Sequence, residues 1–169
     1  MIFAKDVEAY FCINLQGLMK KNTLLNSPAV HQLITMIEKL KPETPGLWGT
    51  MDATEMLLHC TLADQFILED KSPYQRRTLK QWLITKLCMY LLPKFPKNRK
   101  GPLRLQVKGK TNESEFEAKR KDFINTLLRF PSHNQPFTSV HPGMGYLTTE
   151  EWGTVAWMHM DHHLRQFGV

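Results

Sequence analysis

The segment from Thr148 to Gln166 constrains this chain most, because it places His159, His162 and His163 inside a run with helical spacing. At about 100° per residue, His159 and His163 lie one turn apart on one helix face. Trp152, Val155, Ala156, His162 and Gln166 fall close beside them, and Asp161 falls on the opposite side. Two imidazoles at i and i+4 lean over the same turn, so their nitrogens can converge on one ion at about 2 Å. A third ligand must then come from another segment. The bland alternative is that the rings only pack or hydrogen-bond within a bundle.

The candidate third ligand is His59, in the segment Asp52 to Ala63, which also reads as a helix with an apolar face. Asp52 starts it and Glu55 stands at the third position, a variant of the capping box. Glu55 lies one turn before His59 on nearly the same face, so it either caps the helix or reaches the metal or a bound water as a base. Cys60 points about 100° away from His59 and reads as a small core residue.

The order of these parts carries a resemblance. Trp48-Gly49-Thr50-Met51 leads into Glu55-Met56-Leu57-Leu58-His59. Later, His141-Pro142-Gly143-Met144-Gly145 leads into Glu151-Trp152-Gly153 and then His159-Met160-Asp161-His162-His163-Leu164-Arg165-Gln166-Phe167. From about Lys20 to the C-terminus the chain resembles the DinB/YfiT-like superfamily of metal-binding four-helix bundles, in a branch whose members carry no assigned function. The resemblance implies an all-α, antiparallel four-helix bundle with an additional inserted helix. It also implies a metal held by one histidine of the second bundle helix and a His-x-x-x-His pair of the fourth, here His59, His159 and His163.

Glu55, His141, Trp152, His162 and Gln166 are the pocket candidates around that metal. His162, about 60° from His159, is read as a hydrogen-bond donor to a ligand, a substrate-facing base or an alternate ligand. His141 is either a loop histidine or a ring over the pocket mouth. Three neutral imidazoles leave a coordination position for water, the pattern of catalytic zinc sites. Zinc and nickel head the metals that imidazole suits, with iron and copper behind. Thiol-dependent S-transferases are known in the superfamily, so a low-molecular-weight thiol joins the metal as an expected cofactor.

The functional expectation is therefore a divalent-metal-dependent thiol S-transferase or hydrolase acting on a small molecule. The alternative is a non-enzymatic, metal-stabilised helical module that contacts an acidic partner or nucleic acid through the basic residues 94–110. That run contains Lys94, Lys97, Arg99, Lys100, Arg104, Lys108 and Lys110 and no acidic residue; phosphate or the carboxylates of a thiol cofactor would suit it, and a solvated loop is its default reading. Phe95 is its only aromatic residue, so the stacking platform of a single-strand binder is missing and nucleic acid is not expected.

Periodicity and breakers place four main helices near residues 27–41, 52–68, 112–130 and 148–167, with an inserted helix at 78–92. The first follows Asn26-Ser27-Pro28 and stops before Pro42; the third carries Phe116, Phe123, Ile124 and Leu127 and stops at Pro131. The 78–92 segment has a wide apolar arc broken by lysines, too short for a bilayer span of about 20 apolar residues, and reads as a cover over the bundle or a homodimer contact. His31 and His133 have no histidine partner at helical spacing and read as surface or loop residues.

With 169 residues the chain suggests one bundle domain at 19–169, preceded by an extension at 1–18 of uncertain order. Lys5, Asp6 and Glu8 interrupt any early apolar run, so a signal peptide is not expected. Three widely spaced cysteines, Cys12, Cys60 and Cys88, argue against a disulfide framework and for a reducing cytoplasm. The net charge of +6 decides little by itself. No Gly-rich phosphate loop, Gly-x-Ser-x-Gly elbow or Cys-x-x-Cys pair is present.

Overall fold

Four helix starts in this chain are spelled as capping boxes, and they set the fold's punctuation. In a computed structural model, which describes residues 22–92, 94–98 and 101–169, Asp52, Thr78, Asn112 and Thr148 each accept a backbone N–H from the turn they open. In each case the glutamate or glutamine three residues on accepts the cap's own N–H in return. Two otherwise orphaned donors are satisfied at every such start. The extension at 1–18 lies outside the described residues, as do Arg99 and Lys100 of the basic run.

The chain is mostly helical. Helix α1 spans Ser27–Ile37, α2 Ala53–Glu69, α3 Leu79–Lys86, α4 Phe116–Leu127 and α5 Thr149–Gln166. A π-turn, Leu87–Leu91, prolongs α3, and a 3-10 turn, Glu113–Glu115, leads into α4. Another 3-10 turn at Leu103–Leu105 contacts α2. The first helix stops four residues short of its expected end. Lys39 and Leu40 turn back on Met36 and Ile37 by tighter i to i+3 bonds, because the residue before Pro42 is pushed out of helical geometry.

One small antiparallel sheet joins β1, Val140–His141, to β2, Gly145–Tyr146, with Val140 opposite Tyr146. The connection before α5, read from sequence as a plain loop, thus holds a hairpin whose two-residue strands are too short to leave an alternating pattern. No helix among the described residues is long and apolar enough to cross a membrane.

α2 packs mainly on α4, and α1 and α2 each meet both α4 and α5. Leu33, Ile37, Met56, Leu57, Phe116, Phe123, Leu127 and Leu164 are fully buried where these helices meet. Gly153 lets the incoming chain lie on α5: Leu24 N–H donates to its carbonyl at 3.0 Å, and a Cβ there would overlap Thr23 and Leu25. The inserted α3 is held at the N-terminus of α5, where Arg77 meets Glu151 at 2.9 Å and Lys86 lies 3.9 Å away. Glu151 is thereby both a cap and an anchor.

Candidate metal centre

α2 and α5 cross so that His59 faces His159, and seven residues further along α2 and seven back along α5, Phe66 faces Trp152. This pair of helices therefore runs antiparallel, with the two rungs of rings about 10 Å apart at 1.5 Å per residue. At the histidine rung, His159 Nε2 lies 3.2 Å from His59 Nε2 and 3.1 Å from His163 Nε2. One nitrogen of each ring lies within 4.8 Å of the other two. Ligands spaced tetrahedrally at about 2.0–2.1 Å from zinc sit roughly 3.3 Å from one another, so the three rings can hold a metal ion.

The opposite ring nitrogens fix which atoms face inward. His59 Nδ1 lies 2.8 Å from the carbonyl of Leu105, which can only accept, so Nδ1 carries the proton and Nε2 a lone pair. His163 Nδ1 lies 2.9 Å from Oε1 of Gln166. The orientation of that amide follows from its other end, where Nε2 donates to the carbonyl of Trp48 at 2.6 Å. His163 therefore also directs an Nε2 lone pair at the centre. A single proton on His159 Nε2 satisfies only one neighbour and leaves a buried acceptor unpaired, at about 1–3 kcal/mol. A cation satisfies all three, and the donor set fits it.

Electrostatics agree with neutral ligands. Burial lowers the His59 pKa, partly offset by the hydrogen bond to Leu105. Burial, and then the charge of His59, push His163 down to about 3. Burial lowers His159 well below its ordinary value, with His163 and His59 adding to the effect. His59 and His163 are buried, and His159 is partly open to solvent.

Gly49 makes the Gln166 clamp possible. Its φ of +79° suits glycine, and a Cβ there would sit 2.5 Å from Gln166 Nε2. Gln166, expected in the pocket, thus acts behind His163 as its orienting partner. Neither the Trp48 and Leu105 carbonyls nor the purpose of Gly49 was read from sequence. The Trp48-Gly49 pair was the available signal; a backbone acceptor such as Leu105 leaves none.

The other expected residues fall around the centre. Glu55 Oε2 accepts Asp52 N–H at 3.0 Å and Lys108 Nζ at 3.1 Å, and Oε1 accepts Gly109 N–H at 2.7 Å. Burial raises its pKa, but the Gly109 and Asp52 N–H groups and Lys108 outweigh that and leave it lowered. Glu55 is occupied as a cap and loop tether and is not in the histidine cluster. His162 is buried beside His163 at 5.1 Å between ring centroids, and beside Trp48 at 5.7 Å. It too is outside the cluster, and its Nδ1 has no partner among the described residues. Trp152 Nε1 donates to Ser139 O at 3.1 Å, and its ring supports that of His141 at 5.6 Å.

The basic loop does more than face water. Phe95 approaches His162, and Lys97 Nζ lies 4.1 Å over the Trp48 ring. His133 stacks on Phe137, and His31 meets the carbonyl of Ser27, both away from the centre. Cys60 is buried, with its Sγ 3.6 Å from Met56 Sδ, and its thiol pKa is pushed up by burial and by Asp64. A surface depression of about 420 Å³ is lined by residues 42–46 and 49–52 and by Lys108, and none of the three histidines borders it.

No curated protein and no solved structure matches the chain. A family model described as "Protein of unknown function (DUF1569)" matches residues 19–168, which include all three histidines and both segments that orient them, and the chain belongs to that family.

Proposed function

We propose that this chain is a divalent-metal-dependent enzyme of the DinB/YfiT-like type, with zinc or nickel held by His59, His159 and His163, acting on a small molecule as a thiol S-transferase or a hydrolase. The observation that carries the reading is the convergence of three Nε2 atoms, two of them fixed as acceptors by Leu105 and Gln166. The antiparallel four-helix arrangement of α1, α2, α4 and α5 belongs to the same proposal. It is supported by the contacts of α1 and α2 with both α4 and α5, and by the opposed run of α2 and α5.

When bound, such an ion supplies Lewis acidity that brings a water or thiol toward ionisation near neutral pH. The chain's residues prepare the place. His59 and His163 present lone pairs at fixed angles, and Gln166 keeps His163 from turning. The partly open His159 side is the approach for a substrate. His162, whose ring lies 5.1 Å from that of His163 and whose buried Nδ1 has no partner among the described residues, would hold a proton at that atom. In the binding-module alternative the exposed Lys97 and Lys108 would serve an acidic partner, whereas here they already contact Trp48 and Glu55.

Elemental analysis of protein purified without an affinity tag tests the reading. About one equivalent of zinc or nickel per chain is expected, and it should be lost from His59→Ala while circular dichroism still reports a folded helical protein. A screen of thiols against electrophiles, beside ester and amide substrates, then separates transfer from hydrolysis. Metal retained in His59→Ala refutes the site. A metal without any exchangeable position, released only on unfolding, would assign the chain to the module class.

A further inference from the structure

Two hydrogen-bond donors beside the histidine centre are held in place with no acceptor among the described residues. Arg104 immediately precedes Leu105, whose carbonyl orients His59. Its guanidinium carbon lies 3.6 Å from the centroid of the Phe66 ring, a stacking contact that fixes the plane and leaves the N–H edge unspent. Arg77, Arg120, Arg129 and Arg165 each pair with a carboxylate, whereas no described carboxylate pairs with the exposed Arg76 and Arg104, of which Arg104 has its guanidinium over an aromatic ring.

The second donor is His141. Its Nδ1 accepts N–H bonds from Gly143 at 3.1 Å and Met144 at 3.0 Å, so the proton of the neutral ring sits on Nε2, and no described group accepts it. The His141 ring rests on Trp152, Trp152 meets Phe66, and Arg104 stacks on Phe66. The charge of Arg104 is felt at His141, where it adds to burial in lowering the pKa to about 4, and His141 in turn is felt at His159. Arg104 and His141 are thus linked through the Phe66–Trp152 rung, and His141 lies within electrostatic reach of both Arg104 and His159.

We propose that Arg104 and the Nε2–H of His141 form a carboxylate-binding subsite beside the three-histidine centre, so that the substrate or co-substrate carries a carboxylate on a chain long enough for its reacting group to reach the ligands. A planar carboxylate matches the parallel N–H groups of a guanidinium and keeps a lone pair for the imidazole. One guanidinium and one neutral N–H suit a single negative charge better than a phosphate dianion. The separation of the two rungs, about 10 Å, sets the upper length of the ligand. The substrate class rests on the metal-centre reading above; the anion subsite is built from different residues.

The probes are 6-mercaptohexanoate and 6-mercapto-1-hexanol, which share chain length and thiol and differ in the charged end. With cobalt(II)-loaded protein, the thiolate-to-cobalt absorption reports binding of either. The carboxylate is expected to bind about tenfold more tightly, and Arg104→Met should bring the ratio to about one; His141→Phe should reduce it about threefold. Equal affinities in the wild type, or a ratio that survives Arg104→Met, overturn the subsite while leaving the metal centre standing. A chain that takes up no cobalt overturns the metal reading instead. The subsite is then decided by titrating hexanoate into metal-free protein and following the His141 ring signals by NMR. Shifts present in wild type and absent in Arg104→Met support it, and no shift in wild type overturns it.

Discussion

α3 and α5 begin with the same device, a threonine cap answered three residues later by Gln81 or Glu151, yet their surfaces are inverted. α5 buries polar side chains: Glu151, His162, His163 and Gln166 are each at most 9% exposed. α3 and its π-turn expose apolar ones, with Leu79 and Leu91 at 73%, Leu83 at 54% and Leu87 at 46%. Polar groups are tolerated inside α5 where partners meet them, as Gln166 is met by Trp48 and His163. The leucines of α3 and its π-turn stay outside because the inner face is spent on Ile84, Cys88 and Met89, which pack against the core, with Arg77 and Lys86 paired to Glu151 beside them. On α5, pairing admits polar groups to a face that Trp152, Val155, Met160 and Leu164 also bury, while on α3 apolar packing is confined to one narrow side.

The largest expected effect removes what the buried face of α5 is arranged to hold. A metal at 100 times its dissociation constant stabilises the fold by about 2.7 kcal/mol. His163→Ala should abolish that zinc-induced rise in melting temperature, while His133→Ala, stacked on Phe137 far from the ligands, should keep it. Equal protection in the two variants would show that the buried histidines of α5 have nothing to do with metal.

The orienting partner comes next. Gln166→Leu keeps the volume but leaves His163 Nδ1 and the Trp48 carbonyl without each other's bridge. Loss of such a partner typically weakens metal binding by about 10- to 100-fold. Competition against a chromophoric chelator measures it. Gly49→Ala, whose Cβ would press on the same amide, should move the affinity in the same direction. An unchanged affinity in both would mean that His163 is held by packing alone.

Acid dependence sharpens the contrast further. His163 is lowered to about 3 and His141 to about 4 by burial, with the charge of His59 and of Arg104 adding respectively. An unfolded histidine titrates near 6.5, so below that pH the unfolded chain binds protons that the folded chain refuses. The stabilisation from these depressed groups is full above about pH 6.5 and falls as the pH drops toward the folded values. At pH 5 each contributes a loss of about 2 kcal/mol. Urea melts of metal-free protein at pH 7 and pH 5 should show it, with His141→Gln recovering part of the loss at pH 5. A flat profile would mean that these rings are solvated rather than buried.

Much of this was legible in the sequence, for physical reasons that differ between residues. The i, i+4 spacing of His159 and His163 is a local property of an α-helix and survives any tertiary arrangement. The capping-box spellings at Asp52 and Thr148 are equally local, which is why the starts of α2 and α5 fell within a residue of expectation while the end of α1, set by Pro42 and 3-10 tightening, did not. His59 came from the order of motifs rather than from spacing, since nothing local ties residue 59 to residue 159. The orienting carbonyls of Leu105 and Trp48 are backbone atoms and write no residue type into the chain. The hairpin at 140–146 was invisible because four strand residues carry no period.

The smallest expected effect tests the other half of the comparison. Leu83 is 54% exposed on α3, so replacing it by glutamine removes little apolar area from the folded interior and keeps a residue of comparable helix propensity. A surface change of this kind stays within about 0.5 kcal/mol, in contrast to the several kcal/mol of a buried leucine such as Leu57. Denaturant melts of Leu83→Gln and Leu57→Ala in parallel measure the difference. Should Leu83→Gln cost as much as a core truncation, and the cost shrink on dilution of the wild type, the leucine face of α3 would be covered in solution by a second chain. The inversion between α3 and α5 would then hold only for the isolated monomer. A cost near zero at every concentration leaves the inversion as a property of the single chain, with α3 held by Ile84, Cys88, Met89 and its ion pairs to Glu151 and its leucines facing water.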